Sequence, residues 1–351
     1  MNKKREEKIM DTGYFDICLS AYRKIETEGI RFSPSERILP EYSLVRLTKT
    51  GKQTGFEADW DAILAEQMSR IKAFQPGICG DTVNLTWPIH PGAVWMSVRG
   101  IADFTAETVP VMEDFIKHGH RNDAGLFDDP AKPGHLSPEI LAMAVPSLVW
   151  TGKCSGVEMF YEEAVRQMEG YTAALCDPKT KLWHSDCLPD GGTGYALFAL
   201  SELIFDLPAG HEKKESLTRS RRDCLEALLP YQDADGMWHR TIDDRESPPD
   251  PSVTGWILYA MGRAIKQGEP DRAHFASFYI KGLAGLAGYV AHDGSIFSGS
   301  AEAGKDDPAS FTPVLLAYQQ AGLNEAKIGM PPSLDKILEQ QEKTGDTENG
   351  K

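Results

Sequence analysis

The chain has 351 residues, of which 41% are hydrophobic and 25% charged, with a net charge of −15 at pH 7. That is ample for a large core. It excludes nucleic acid and anionic membrane as partners of the surface as a whole, because positive charge concentrates only at Lys3-Lys4-Arg5 and Arg219–Arg222. An anionic substrate then requires a locally basic or hydrogen-bonding pocket.

Apolar residues recur at helical spacing along the chain and predict helices over 13–28, 38–49, 57–74, 91–105, 108–119, 137–151, 156–175, 193–205, 213–229, 252–267, 271–288 and 309–321. These twelve segments form six pairs. Ser137-Pro138-Glu139 reads as a serine cap before a proline at the first helical position, and Asp250-Pro251-Ser252 opens the following helix in the same way. Gly152, Gly210, Gly268 and Gly322 sit where helices are expected to stop. From about Pro331 the chain turns polar and charged, so 331–351 reads as a fraying tail on a single domain spanning 1–330.

Four short segments repeat between the helices: Gly125-Leu126-Phe127-Asp128, Lys181-Leu182-Trp183-His184, Gly236-Met237-Trp238-His239 and Ser295-Ile296-Phe297-Ser298. Their aliphatic residues are spaced by 56, 55 and 59 positions, so one supersecondary unit is used repeatedly. The segments 141–150, 195–205 and 256–264 are apolar nearly all round, whereas 158–171 and 212–228 carry charge on one face. A helix apolar on every side is buried, and an amphipathic one lies outside. Inner and outer helices in alternation predict an all-α (α/α)6 barrel of six hairpins, with every repeated turn at one end.

No run is long enough to span a bilayer or to act as a signal peptide, and the chain starts at Met1. Cysteines at 18, 79, 154, 176, 187 and 224 show no C-x-x-C spacing and read as reduced thiols. Together these features predict a cytoplasmic protein.

The turns and inner-helix starts should converge on a cavity mouth. They supply Trp87, His90, Asp128, Asp129, His135, Glu139, Trp183, His184, Thr193, Tyr195, Trp238, His239, Asp243, Asp244 and Asp250. Tryptophan, histidine and carboxylate together suit carbohydrate, since aromatic faces stack on sugar C–H surfaces and carboxylates handle hydroxyls and protons. Glu139 and His184 are the candidate catalytic groups. Trp87, His90, Thr193, Tyr195, Trp238, His239 and Asp250 are the candidate substrate contacts. The two tryptophans of the repeated turns can equally serve packing, and His184 and His239 occupy equivalent places. His118-Gly-His120 reads as a solvated helix end, with no third ligand for a metal.

The segment Tyr231–Asp244 followed by Asp250–Met261 resembles the unsaturated rhamnogalacturonyl and glucuronyl hydrolases, glycoside hydrolase families 105 and 88. Ile89–Gly92, Leu141–Leu148 and Gly192–Tyr195 resemble further motifs of that family. The resemblance implies an (α/α)6 barrel that removes a 4,5-unsaturated uronic acid from oligosaccharides. An aspartate protonates and hydrates the vinyl ether, the hemiketal collapses, and no metal or organic cofactor takes part. It places Glu139 at the family's second catalytic aspartate. The neighbourhood of the first reads Trp87-Pro88, and the arginine, asparagine and tryptophan of the Gly-Asn-Gly-Trp segment read Gly191, Thr193 and Tyr195. Gln232-x-x-x-Gly236-x-Trp238 also resembles the repeat of triterpene cyclases. A cyclase or isomerase reusing the cavity, or a binding barrel without catalysis, therefore stays open. The expected partner is a small molecule, an oligosaccharide, with neither nucleic acid nor membrane; the sequence leaves the oligomeric state open.

Overall fold

In the computed structural model, the described residues are 13–28, 38–63, 65–66, 105–129, 132–185, 192–268, 272–291, 293–298, 306–337 and 339–340. Among them ten helices are formed: α1 (Tyr14–Glu28), α2 (Ile38–Thr54), α3 (Thr105–His118), α4 (Pro138–Ser155), α5 (Glu158–Leu175), α6 (Thr193–Asp206), α7 (Lys214–Leu228), α8 (Pro251–Gln267), α9 (Arg272–Ala287) and α10 (Pro308–Ile328). The helix expected over 91–105 lies almost wholly outside the described residues, as does half of the one over 57–74. Extended pairing among the described residues is limited to isolated bridges.

The helices fall into two compact units, one made of the chain up to Ala58 and from Tyr231 onward, the other of Asp59–Pro230. In the second unit α4 packs on α3, α5 and α6, and α6 packs on α7. Residues 140–152 of α4 are buried without interruption, as are 193–204 of α6 apart from Tyr195. By contrast, α7 buries only Leu217, Arg221, Cys224, Leu225 and Leu228, a stripe at helical spacing. In the first unit α10 packs on α8, α2 and α1, and α8 on α9. Residues 310–324 of α10 are all buried. α8 and α10 approach so closely at Gly255 that a Cβ there would lie 2.6 Å from the backbone of Pro313. The alternation read from hydrophobicity is thus present inside each unit.

Two expected helix stops are corrected. Gly152 and Gly322 lie inside α4 and α10, where the missing side chain admits the rings of Tyr161 and Phe15; an added Cβ would meet them at 3.1 and 2.6 Å. These helices end instead at Gly156 and Gly329, both with positive φ, 73° and 65°. Gly268 caps α8 as expected, whereas α6 ends at Asp206, before Gly210. Residues 334–337 are helical, with Leu334 and Ile337 buried.

Each repeated turn folds into a miniature hairpin. Backbone N–H groups of Asn122, Asp177, Asp233 and Ala291 each donate across the turn at 2.9 Å, to Leu126, Leu182, Met237 and Ser295. The aromatic residue that follows is buried in all four: Phe127, Trp183, Trp238 and Phe297. Phe127 stacks on Phe115 with centroids 4.2 Å apart. Within each unit the turns therefore anchor outer helices to the starts of inner ones.

Candidate active site

The aromatic residues of two turns are clamped by threonines at the start of the next inner helix. Trp183 N donates to Thr193 Oγ1 at 3.1 Å, and Trp238 N donates to Thr254 Oγ1 at 3.0 Å. Thr193 and Trp238 are wholly buried. Thr193 thus clamps the backbone of Trp183, and Trp238 packs in the interior. Gln232 Nε2 donates to Gly236 O and Phe278 O, both at 2.9 Å. The cyclase-like Gln-Gly-Trp pattern is thus a clasp between this turn and α9.

Asp250 and His239 are likewise engaged by their own unit. Asp250 Oδ1 accepts from Ser252 N and Val253 N at 2.8 and 3.1 Å, capping α8, and Oδ2 accepts from Arg240 Nε at 3.0 Å. An aspartate at this position satisfies helix N–H groups that lack an internal partner. His239 Nδ1 donates to Ser247 O, and Nε2 lies 3.5 Å from Asp233 Oδ2. Both ring nitrogens face protein, and the Ser247 contact braces the 239–249 loop.

Glu139 occupies the first turn of α4, directly after Pro138, half-buried while Ile140 and Leu141 behind it are buried. Ser137 holds the N-cap position, but its hydroxyl makes no capping bond. The next turn reaches this helix start, because Ser185 Oγ donates to Leu136 O at 3.4 Å. His184, adjacent to Ser185, is exposed and pairs through its backbone with Leu175 O at 2.9 Å. Its imidazole contributes to holding Asp177 below the ordinary carboxylate range, an effect led by N–H donors of Thr180 and Lys179. Tyr195 lies half-exposed in the first turn of α6. Glu139, His184 and Tyr195 are therefore the candidate residues on accessible helix starts and turns of this unit. Trp87 and His90 lie outside the described residues.

The structure adds a pair that the sequence reading passed over. His120 Nδ1 hydrogen-bonds Asp128 Oδ1 across the first repeated turn. The signal was present, since a hairpin joining Arg121 to Phe127 sets residues 120 and 128 opposite each other. No group of three or more His, Cys, Asp or Glu side chains among the described residues is arranged to hold a metal ion.

Inner helices buried on all sides, paired with outer amphipathic ones, are those of the all-α (α/α)6 barrel class. Two solved structures share the fold. A possible member of the GH105 family from Salmonella enterica is 17% identical, with a TM-score of 0.69 over 89% of this chain and 94% of that one. A polysaccharide lyase is 15% identical, with a TM-score of 0.71 over 88% and 96%. The Glycosyl Hydrolase Family 88 model matches residues 138–315, just over half of the chain, and the chain belongs to that family. Among characterised relatives, an unsaturated rhamnogalacturonyl hydrolase of Bacillus subtilis (strain 168) is 23% identical over 288 residues, 72% of this chain and 81% of the relative.

Proposed function

We propose that this protein is a glycosidase of the unsaturated uronyl hydrolase type, releasing a 4,5-unsaturated uronic acid from an oligosaccharide. Family membership supports the class. Because the same fold also carries a polysaccharide lyase, the reaction has to be argued from the site. The observation that carries it is Glu139, a half-exposed carboxyl in the first turn of an inner helix whose following thirteen residues are buried. Hydration of a vinyl ether needs a proton delivered to carbon from a group held in place. Glu139 gives its proton to C4 of the substrate, positive charge develops at C5 and on the ring oxygen, and water adds at C5. The resulting hemiketal opens to a ketone, and the remaining oligosaccharide leaves from C1.

Tyr195 and His184 are the hydrogen-bonding groups we assign to the sugar and its carboxylate. A cytoplasmic setting belongs to the same reading, supported by free thiols at Cys18, Cys154, Cys176 and Cys224. Among the described residues no helix is long and apolar enough to cross a membrane.

The test is loss of the ultraviolet absorbance of the conjugated double bond in unsaturated uronyl disaccharides. Wild-type protein should bleach at least one of them. Glu139→Gln should lower turnover by about 100-fold or more, the usual scale for positioned acid–base catalysis, with an unchanged melting temperature. Near-wild-type turnover by Glu139→Gln would remove Glu139 from the mechanism.

A further inference from the structure

His120 and Asp128 form a pair whose two halves differ sharply in exposure. The Asp128 side chain is wholly buried, whereas 40% of the His120 side chain is exposed. Asp128 Oδ2 accepts from Gly134 N at 2.6 Å, while Oδ1 faces His120 Nδ1. A carboxylate with a donor on each oxygen is fixed in orientation and offers the imidazole only lone pairs. Nδ1 therefore carries the proton in the neutral ring, and the lone pair sits on Nε2. Nε2 has no partner among the described residues. A histidine oriented by a carboxylate, with its other nitrogen open, has the form of a general base. His239 is placed differently: 12% exposed, with Nδ1 bonded to Ser247 O and Nε2 turned towards Asp233 at 3.5 Å.

The charged neighbours of His120 along α3 and the turn have partners of their own. Arg121 directs its guanidinium over Phe127, 3.8 Å from the ring centroid, and to Glu163 at 2.8 Å. His118 pairs with Asp114 at 2.8 Å. Asp129 and His135 belong to the loop that Asp128 begins, joined through their backbones at 3.3 Å. That loop runs from Gly134 directly into Pro138 and Glu139, a path of five residues that spans at most about 17 Å. The loop thus joins the end of α3, just before His120, to the start of α4, which carries Glu139.

We propose that His120 is the base that takes the proton from the attacking water, with Asp128 as its positioning residue. The inference rests on the uronyl hydrolase reading and deepens it by dividing the two proton transfers between two groups. The Glu139 proton forms the new C4–H bond with the π electrons of the C4=C5 bond. The water oxygen bonds to C5, and one of its protons passes to His120 Nε2. The products are a hemiketal with no charge beyond the uronate carboxylate, a glutamate carboxylate and an imidazolium held against Asp128. Return of the imidazolium proton to Glu139 through solvent closes the cycle, with no oxidant, reductant or further reactant.

Turnover of an unsaturated uronyl disaccharide is measured across pH for wild type, His120→Gln, His120→Gly, Asp128→Asn and the neighbouring control His118→Gln. His120→Gln should lose about 100-fold in kcat with KM within about threefold. His120→Gly should regain rate when imidazole is added. Asp128→Asn should retain KM while kcat falls at least tenfold, and His118→Gln should match wild type. Full activity in His120→Gln would overturn the inference while leaving the hydrolase reading standing. So would an equal loss in His120→Gly with no rescue by imidazole. Wild-type inactivity on a full panel of unsaturated uronides would overturn the hydrolase reading and this inference with it.

Discussion

Replacing Thr193 with valine should destabilise the protein without altering how it binds substrate. Valine keeps the shape of threonine and removes the hydroxyl that accepts Trp183 N at 3.1 Å. Thr193 is 0% exposed and Trp183 5%, so no solvent replaces the lost acceptor. A buried N–H left unsatisfied costs about 1–3 kcal/mol. In a chain of this length that lowers the melting temperature by roughly 1–4 °C, given an unfolding entropy that scales with residue number. The equivalent clamp at Thr254 is doubly bonded, since its hydroxyl also donates to Trp238 O at 3.4 Å. Thr254→Val should therefore fall at the upper end of the range. Urea unfolding is the assay: the midpoint should shift at constant slope, while KM for an unsaturated uronide stays within twofold. An unchanged midpoint together with a tenfold rise in KM would mean that the Thr193 hydroxyl faces the sugar, as the sequence motif implied, and would refute the clamp.

Asp250→Ala should cost about 1–2 kcal/mol in urea unfolding, because it removes the cap of α8 together with the partner of Arg240. Burial pushes the Glu163 carboxyl up, but hydrogen bonds from Arg166, Gln167 and Arg121 outweigh it and hold the group below its ordinary 4.5. Its contribution to stability is therefore complete above that value and is lost as pH falls through the lower folded-state value. Denaturant midpoints from pH 6 to 3 should show a shallower acid loss in Glu163→Gln than in wild type. The Lys266 ammonium is pushed down to about 8 by burial and by Arg46, Arg263, Lys327 and Lys49. Competitive acetylation read by mass spectrometry should give its midpoint near that pH, well below those of exposed lysines. From there up to 10.5 the unfolded chain binds the extra proton, so this group makes stability rise with pH.

Helix type and order were legible in the sequence because burial on all sides and burial on one face leave different hydrophobic patterns. α4, α6 and α8 read as apolar throughout, α5 and α7 as stripes, and the near-constant spacing of the turns supplied the class of fold. The resemblance in 231–261 and 141–148 supplied the family. Side-chain roles at the helix starts were not legible. Thr193, Asp250 and His239 share a residue vocabulary with sugar sites, but the same hydroxyl, carboxylate and imidazole also satisfy backbone N–H and C=O groups at turns and caps. Only coordinates show which partner each one takes. Glycines divided in the same way: Gly268 ends a helix, whereas Gly152 and Gly322 admit a neighbouring ring, a choice made by the element packed against them. The His120–Asp128 pair shows the limit most directly. Composition and periodicity order residues along the chain, while a hairpin sets one residue opposite another, and here that pairing buried the carboxylate and left the imidazole open.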